Sequence, residues 1–243
     1  MPAGEVGDLG THAGGLASLA GLHPRIAWAL GRAADIGPGD VVLDPMCGRG
    51  LILLESARQW SQGMYIGVDI DRAQLQDARE NSAQARIGSA VTWMHGDCTA
   101  LPLRDASVDV VICDLPFGKM HGSVEGNVVL YPKMLDEAAR VVKPGGRAVL
   151  LTSDDNQTVM HEQVAADGHQ RKKGNWKLQA RNPLQIGCKM PTHIYLLCRM
   201  AAGNQEEETD SSPAWHKEAG WGAVRGKRKN YRQEWLKERP DME

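Results

Sequence analysis

The stretch Val41-Val42-Leu43-Asp44-Pro45-Met46-Cys47-Gly48-Arg49-Gly50, running directly into Leu51-Ile52-Leu53-Leu54-Glu55, decides the fold. Three apolar residues in succession read as a short strand buried on both faces. Two glycines at alternate positions make a tight turn, and Gly50 to Trp60 reads as a helix. Strand, glycine turn and helix form the repeating unit of a parallel α/β sheet. The unit recurs outward. Upstream, a helix starting near Pro24 carries Ile26, Ala27, Leu30, Ala33 and Ala34 on one side and stops at Gly37-Pro38-Gly39. Downstream come the strand Met64 to Val68, the helix Asp71 to Ala85 capped by Asp71, and the strands Val91 to Met94 and Val108 to Cys113. A helix over Tyr131 to Val142 follows, then Pro144-Gly145-Gly146, the strand Arg147 to Thr152 and a helix-like stretch. An antiparallel pair around Leu178 to Ile186 and His193 to Cys198 completes the run.

The expectation is a doubly wound, Rossmann-like α/β domain: a mostly parallel seven-stranded sheet with an antiparallel edge hairpin and helices on both faces. In such folds ligands sit at the carboxyl ends of the strands, near the switch in strand order. The 243 residues allow one domain over 22–200, with a flexible Gly- and Ala-rich lead-in over 1–21 and a tail over 201–243. That tail begins acidic, Glu206-Glu207-Glu208-Thr209-Asp210, and ends basic, with Arg225, Lys227, Arg228, Lys229 and Arg232 interleaved with Trp221, Tyr231 and Trp235. Such a mixture suits phosphates and exposed bases, although a solvated tail is the simpler reading and a nuclear import signal a third.

Composition narrows the class further. Hydrophobic residues make up 42% and charged residues 24%, so a fully disordered or fibrous chain is excluded. A formal charge of -2 argues against a protein that grips nucleic acid with its whole surface. No run reaches the roughly 18 apolar residues of a membrane span, and no signal peptide is evident, so a soluble cytoplasmic protein is expected, with the nucleus as the alternative. Five cysteines without a C-x-x-C pair point to neither a disulfide framework nor a metal site.

The strand ends carry the chemistry. Gly48 and Gly50 permit close approach of a ligand at a helix N-terminus, which suits a dinucleotide or an S-adenosyl group. Leu53 stands where the dinucleotide pattern wants a third glycine. The second strand ends Gly67-Val68-Asp69-Ile70-Asp71; Asp69 is placed to hold a ribose diol, whereas Asp71 is read as the helix cap. The third ends His95-Gly96-Asp97-Cys98, where an acceptor followed by a backbone N–H suits the amino edge of adenine. The fourth ends Asp114-Leu115-Pro116-Phe117-Gly118, a carboxylate, a Pro and the chain's single Phe together at the mouth of the sheet.

Together these segments resemble the class I S-adenosylmethionine-dependent methyltransferases, with Asp114 to Phe117 as the D-x-P-F variant of the D/N-P-P-Y/F amine-methylation motif. The likeness covers Leu22 to Arg199. More narrowly, D-P-M-C-G-x-G with I-L-L-E, D-L-P-F-G-K, L-Y-P and G-R-A-V-L-L-T resemble the methyltransferase half of THUMP-domain RNA guanine-N2 methyltransferases, as does Ile26-Ala27-Trp28-Ala29. The THUMP RNA-binding domain itself is not expected before residue 22.

The resemblance implies that Asp44, Pro45, Cys47, Gly48 and Gly50 face the methionine end of S-adenosylmethionine, Asp69 its ribose, and Asp97 and Cys98 its adenine, with Ile70 also among the cofactor-binding residues. Asp114, Pro116 and Phe117 are the catalytic set. Asp114 also borders the cofactor; it would accept one N–H of the amine, and a carbonyl near Leu115 or Pro116 the other. Pro116 stiffens the loop and an exposed Phe117 stacks on the base. Lys119 could meet a phosphate, and Arg49 either the methionine carboxylate or solvent. His95 and His121 receive no catalytic role, and no metal is required. The implied partners are RNA, transfer RNA first and a small nuclear RNA second, and a small zinc-binding activator subunit on a sheet edge. Three alternatives stand beside this: methylation of protein glutamine or DNA adenine, a non-catalytic binding module, and a nicotinamide oxidoreductase.

Overall fold

The computed structural model describes residues 21–119, 122–164, 175–186 and 190–201. Helix α1 (Pro24–Ala33) starts on a proline, and the His23 ring accepts the Arg25 N–H at 3.2 Å. Strand β1 (Val41–Asp44), helix α2 (Leu51–Gln59), strand β2 (Met64–Asp69), helix α3 (Arg72–Gln84), strand β3 (Val91–His95) and strand β4 (Val108–Asp114) follow in the expected order. Asp71 caps α3 by accepting the Ala73 N–H at 2.8 Å.

Two differences follow β4. Helix α4 (Val124–Val141) begins seven residues before the expected Tyr131, because Ser123 caps it at the Gly126 N–H and Pro132 lies inside the helix instead of opening it. Strand β5 (Val142–Ser153) takes in the Pro144-Gly145-Gly146 turn as an irregularity: Val108 pairs with Val142, but the regular ladder starts at Val110 with Arg147. Helix α5 (Gln157–Gln163) and the antiparallel strands β6 (Trp176–Ile186) and β7 (Met190–Arg199) complete the domain.

The sheet order is β3-β2-β1-β4-β5-β7-β6, parallel through β5 and antiparallel beyond. Neighbouring residues on each central strand enter opposite cores, as the two-residue period of a strand requires. Leu43, Val111, Cys113 and Leu150 pack with Tyr131 and Met134 of α4 and Met160 of α5. Val42, Val110, Ile112 and Leu151 pack with Leu30, Leu53, Leu54 and Leu75 of α1, α2 and α3. Arg147 fastens β5 to the end of α1: its guanidinium donates to the Ala34 and Asp35 carbonyls at 2.6 Å each and to Asp40 at 2.7 Å. The chain leaves β1 toward β2 and returns through β4, so the strand order reverses between β1 and β4, and in such sheets ligands bind in the crevice outside the carboxyl ends at that point.

Candidate active site

Asp44 and Asp114 end the two strands that flank this crevice. Asp44 is 1% exposed. Burial pushes its carboxyl up to about 8, a hydrogen bond from the Met46 N–H and one with the Cys113 thiol oppose that, and the Asp114 and Asp69 carboxylates add to it. Asp114 is half-buried, its Oδ1 fully enclosed with no hydrogen-bond partner, and burial raises it to about 7. An enclosed carboxylate oxygen without a donor is costly in a finished fold, and the cost is removed when a ligand brings an N–H or a positive charge.

The turn after β1 is held from β2. The Cys47 N–H donates to the Val68 carbonyl at 2.9 Å, and the Gly48 N–H to Asp69 Oδ2 at 2.7 Å. The other Asp69 oxygen accepts the Asp71 N–H at 2.8 Å, so this carboxylate ties the β1 and β2 turns together. Each of its oxygens keeps a lone pair for a further donor. Pro45 and Cys47 are both buried, the Cys47 thiol raised by burial first and by Asp44 and Asp69 second. Gly50 sits at φ +82 as the N-cap of α2, where a Cβ would run into the Trp93 indole. A Cβ on Gly67, opposite Trp93 in the ladder, would lie 2.6 Å from the same ring.

Ile70 is 68% exposed immediately beyond Asp69, an apolar side chain in water. The His95 ring hydrogen-bonds the Ile70 carbonyl at 3.1 Å, fixing the end of β2 against β3. Asp97 is exposed; the Thr99 N–H and hydroxyl both donate to its Oδ1 at 2.8 Å, which holds its carboxyl below the ordinary range. Cys98 is buried, its thiol pushed up to about 12 by desolvation.

Two expectations are corrected here, for Phe117 and Pro116. Arg49 is on the solvent-facing side of its two alternatives, its side chain 39% exposed and paired with Asp77 of α3 at 3.0 Å. Phe117 is half-buried, not fully exposed, with part of its ring packed against the α1–α2 core. The Pro116 carbonyl is already taken, by the Asn127 amide at 2.7 Å and the Tyr131 hydroxyl at 2.8 Å. Lys119 pairs with Asp155 at 3.1 Å. Arg225, Lys227, Arg228, Lys229 and His121 lie outside the described residues.

The sequence reading missed the residues behind the Asp114 to Phe117 loop. The Asn156 amide donates to the Phe117 carbonyl at 3.3 Å and to the Ser153 hydroxyl at 3.1 Å, while its own oxygen accepts from Asn127 at 3.0 Å. Tyr131 and Thr152 share a hydrogen bond of 2.7 Å. All five are buried. Asn127 and Tyr131 are four residues apart, one helical face, and that signal disappears when the helix is taken to begin at Tyr131. Gly118, at φ +81, admits the start of α4: a Cβ there would stand 2.5 Å from the Val124 nitrogen.

Three carboxylates thus converge on the crevice, while Arg49 and Lys119 are engaged with carboxylates of their own. Such a site is matched to a cationic ligand and repels a pyrophosphate, which argues against the dinucleotide alternative.

Residues 16–182 match the family model UPF0020, described as RMKL-like, methyltransferase domain. A U6 snRNA (guanine-N(2))-methyltransferase THUMPD2 of Bos taurus is 39% identical over 155 residues, which are 64% of this chain and 30% of that protein. A tRNA (guanine(6)-N(2))-methyltransferase THUMP3 of Mus musculus is 40% identical over 145 residues, 55% of this chain and 29% of that one. The crystal structure of TrmN from Thermus thermophilus superimposes with a TM-score of 0.62 at 28% identity, over 76% of this chain and 52% of TrmN. The chain therefore spans less than a third of the length of those two curated relatives, and within that span it belongs to the UPF0020 family, the RMKL-like methyltransferase domains.

Proposed function

We propose that this chain is the catalytic half of an S-adenosylmethionine-dependent RNA methyltransferase that modifies the exocyclic N2 of a guanine, in transfer RNA first and a small nuclear RNA second. The observation that carries the reading is the unpartnered Asp114 Oδ1 at the strand-order switch, beside Pro116 and Phe117. Both relatives quoted above are named guanine-N2 methyltransferases, one acting on each RNA class.

The crevice fits the cofactor by charge, since Asp44, Asp69 and Asp114 face a molecule carrying a sulfonium and an ammonium. Asp44, Pro45, Cys47, Gly48 and Gly50 would hold its methionine end, Asp69 its ribose, Ile70 the adenine face, and Asp97 with Cys98 the adenine edge. When bound, it supplies an electrophilic methyl group. The residues of this chain do the rest. The lone pair of a guanine amine is delocalised into the ring, so the amine must be turned and held before it can attack. Asp114 accepts one N–H, and the Leu115 carbonyl, with the Pro116 carbonyl already occupied, accepts the other. The open part of Phe117 offers a face for the base, a contact worth about 1–3 kcal/mol. Orientation supplies most of the rate.

Lys119 and the Arg225 to Lys229 cluster are proposed phosphate contacts, and a small zinc-binding activator is a proposed partner for one of the two sheet edges, β3 or β6. Among the described residues no helix is long and apolar enough to cross a membrane. The deciding measurement is transfer of tritiated methyl from S-adenosylmethionine to unfractionated transfer RNA, a U6 small nuclear RNA transcript and total protein, followed by nucleoside mass spectrometry. N2-methylguanosine is the expected product. Label confined to protein or to adenosine refutes the reading.

A further inference from the structure

The Leu130-Tyr131-Pro132 string forms part of the family likeness, yet the chemistry set out above uses none of it. In the fold it delivers a phenol to the back of the Asp114 to Phe117 loop. A carbonyl oxygen has two lone pairs, and at Pro116 both are occupied, by the Tyr131 hydroxyl and the Asn127 amide. Neither donor has access to water: Tyr131 is 0% and Asn127 1% exposed. Breaking either bond strands a buried polar group. Thr152 holds the Tyr131 hydroxyl from behind, and Asn156 holds Asn127 while donating to the Phe117 carbonyl. The Leu115 N–H is itself committed to the Leu151 carbonyl at 2.9 Å. Of the three main-chain carbonyls from Leu115 to Phe117, only that of Leu115 accepts no hydrogen bond from the described residues.

We propose that Tyr131 and Asn127 are positioning residues for methyl transfer: by saturating the Pro116 carbonyl they leave the Leu115 carbonyl as the one loop acceptor for the second N–H of the substrate amine, and they hold it at a fixed separation from Asp114. The proposal rests on the amine-methylation reading above. It gives α4 a part in the reaction without contact with substrate. The selection works by exclusion, since an amine facing a loop with two open carbonyls could settle in two orientations, of which one presents its lone pair to the methyl group.

Tyr131→Phe deletes one hydroxyl and keeps the buried ring. With tritiated S-adenosylmethionine and unfractionated transfer RNA, kcat is expected to fall about tenfold while KM for both substrates stays within about twofold. Amide hydrogen exchange at Phe117 and Gly118 is expected to quicken about tenfold, with that at Asp69 and Asp71 unchanged. Thr152→Val, which leaves the Tyr131 to Pro116 bond in place, is expected to retain kcat within about threefold. Wild-type exchange at Phe117 and Gly118 in Tyr131→Phe overturns the proposal, and so does quickened exchange with unaltered kcat, which assigns the phenol a purely structural part. Absence of transfer by the unsubstituted protein to any RNA refutes the guanine reading alone; the exchange measurement then decides the clamp by itself.

Discussion

Asp114 and Asp44 differ in what their burial leaves open. Asp114 keeps an enclosed oxygen without a donor, whereas the Asp44 carboxylate is bonded to Met46 and Cys113. Asp114→Ala removes the side-chain acceptor that one N–H of the amine requires. Transfer should fall by about 10²–10³, with S-adenosylmethionine affinity changed only a few-fold by calorimetry. Retained turnover would remove Asp114 from the catalytic set. Asp44 carries a pH dependence. Its carboxyl rises from 3.8 to about 8 on folding, so the native state holds the proton more tightly. That stabilisation is complete below about pH 4 and is lost as pH climbs through 8. Thermal stability should therefore decline between pH 5 and 8.5 in the natural protein and decline less in Asp44→Asn. Because a cationic cofactor prefers the ionised form, its affinity should increase over the same interval, and a flat profile would contradict this assignment.

At the level of elements, the start of α4 decides whether the site is complete. Ser123 and Gly118 bring its first turn against the motif loop, and Asn127 and Tyr131 follow from that placement. Gly118→Ala puts a side chain at φ +81 with a Cβ 2.5 Å from the Val124 nitrogen. It should cost more than about 1 kcal/mol in chemical denaturation and abolish transfer, since α4 must retreat. Asp71→Ala tests the reverse separation. Losing the cap should cost about 1 kcal/mol of stability. Cofactor affinity should stay unchanged, because Asp71 holds Asp69 through its backbone N–H. What the sequence made legible follows the same division. Val108 to Cys113 is apolar at every position but Asp109 and bounded by turn residues, a pattern that suits a doubly covered strand, and Asp71 before an amphipathic stretch announces a cap. Pro132 misled, since proline opens helices far more often than it sits within them. The polar net behind Pro116 was illegible for a different reason: its members lie 11 to 39 positions from the carbonyls they hold, and no local pattern reports a contact of that separation.

Across the whole molecule, α1 and β5, far apart in the sequence, are joined by a single side chain. The Arg147 guanidinium spans 113 positions to reach Ala34 and completes its bonding with Asp35 and Asp40. Arg147→Met keeps much of the stem and removes every donor, leaving three buried or half-buried acceptors without it. Unfolding in urea should show a loss of about 2–4 kcal/mol with the m-value unchanged, and methyl transfer at 20 °C should persist, because the staple lies at the end of the sheet away from the crevice. The near-neutral charge of -2 belongs to this scale as well. A crevice lined with carboxylates serves a cation and does nothing to attract a polyanion, so the grip on RNA falls to surfaces outside it.

Trp93 has an optical consequence. Its indole lies against the backbone at Gly50 and Gly67 and so forms the floor of the turn assigned to the methyl donor. Indole emission responds to small changes in the packing and polarity around the ring, and this fluorophore is built into the binding loop without any label. Quenching or a wavelength shift that accompanies ligand titration and vanishes in Trp93→Phe would make occupancy of the crevice readable in a cuvette.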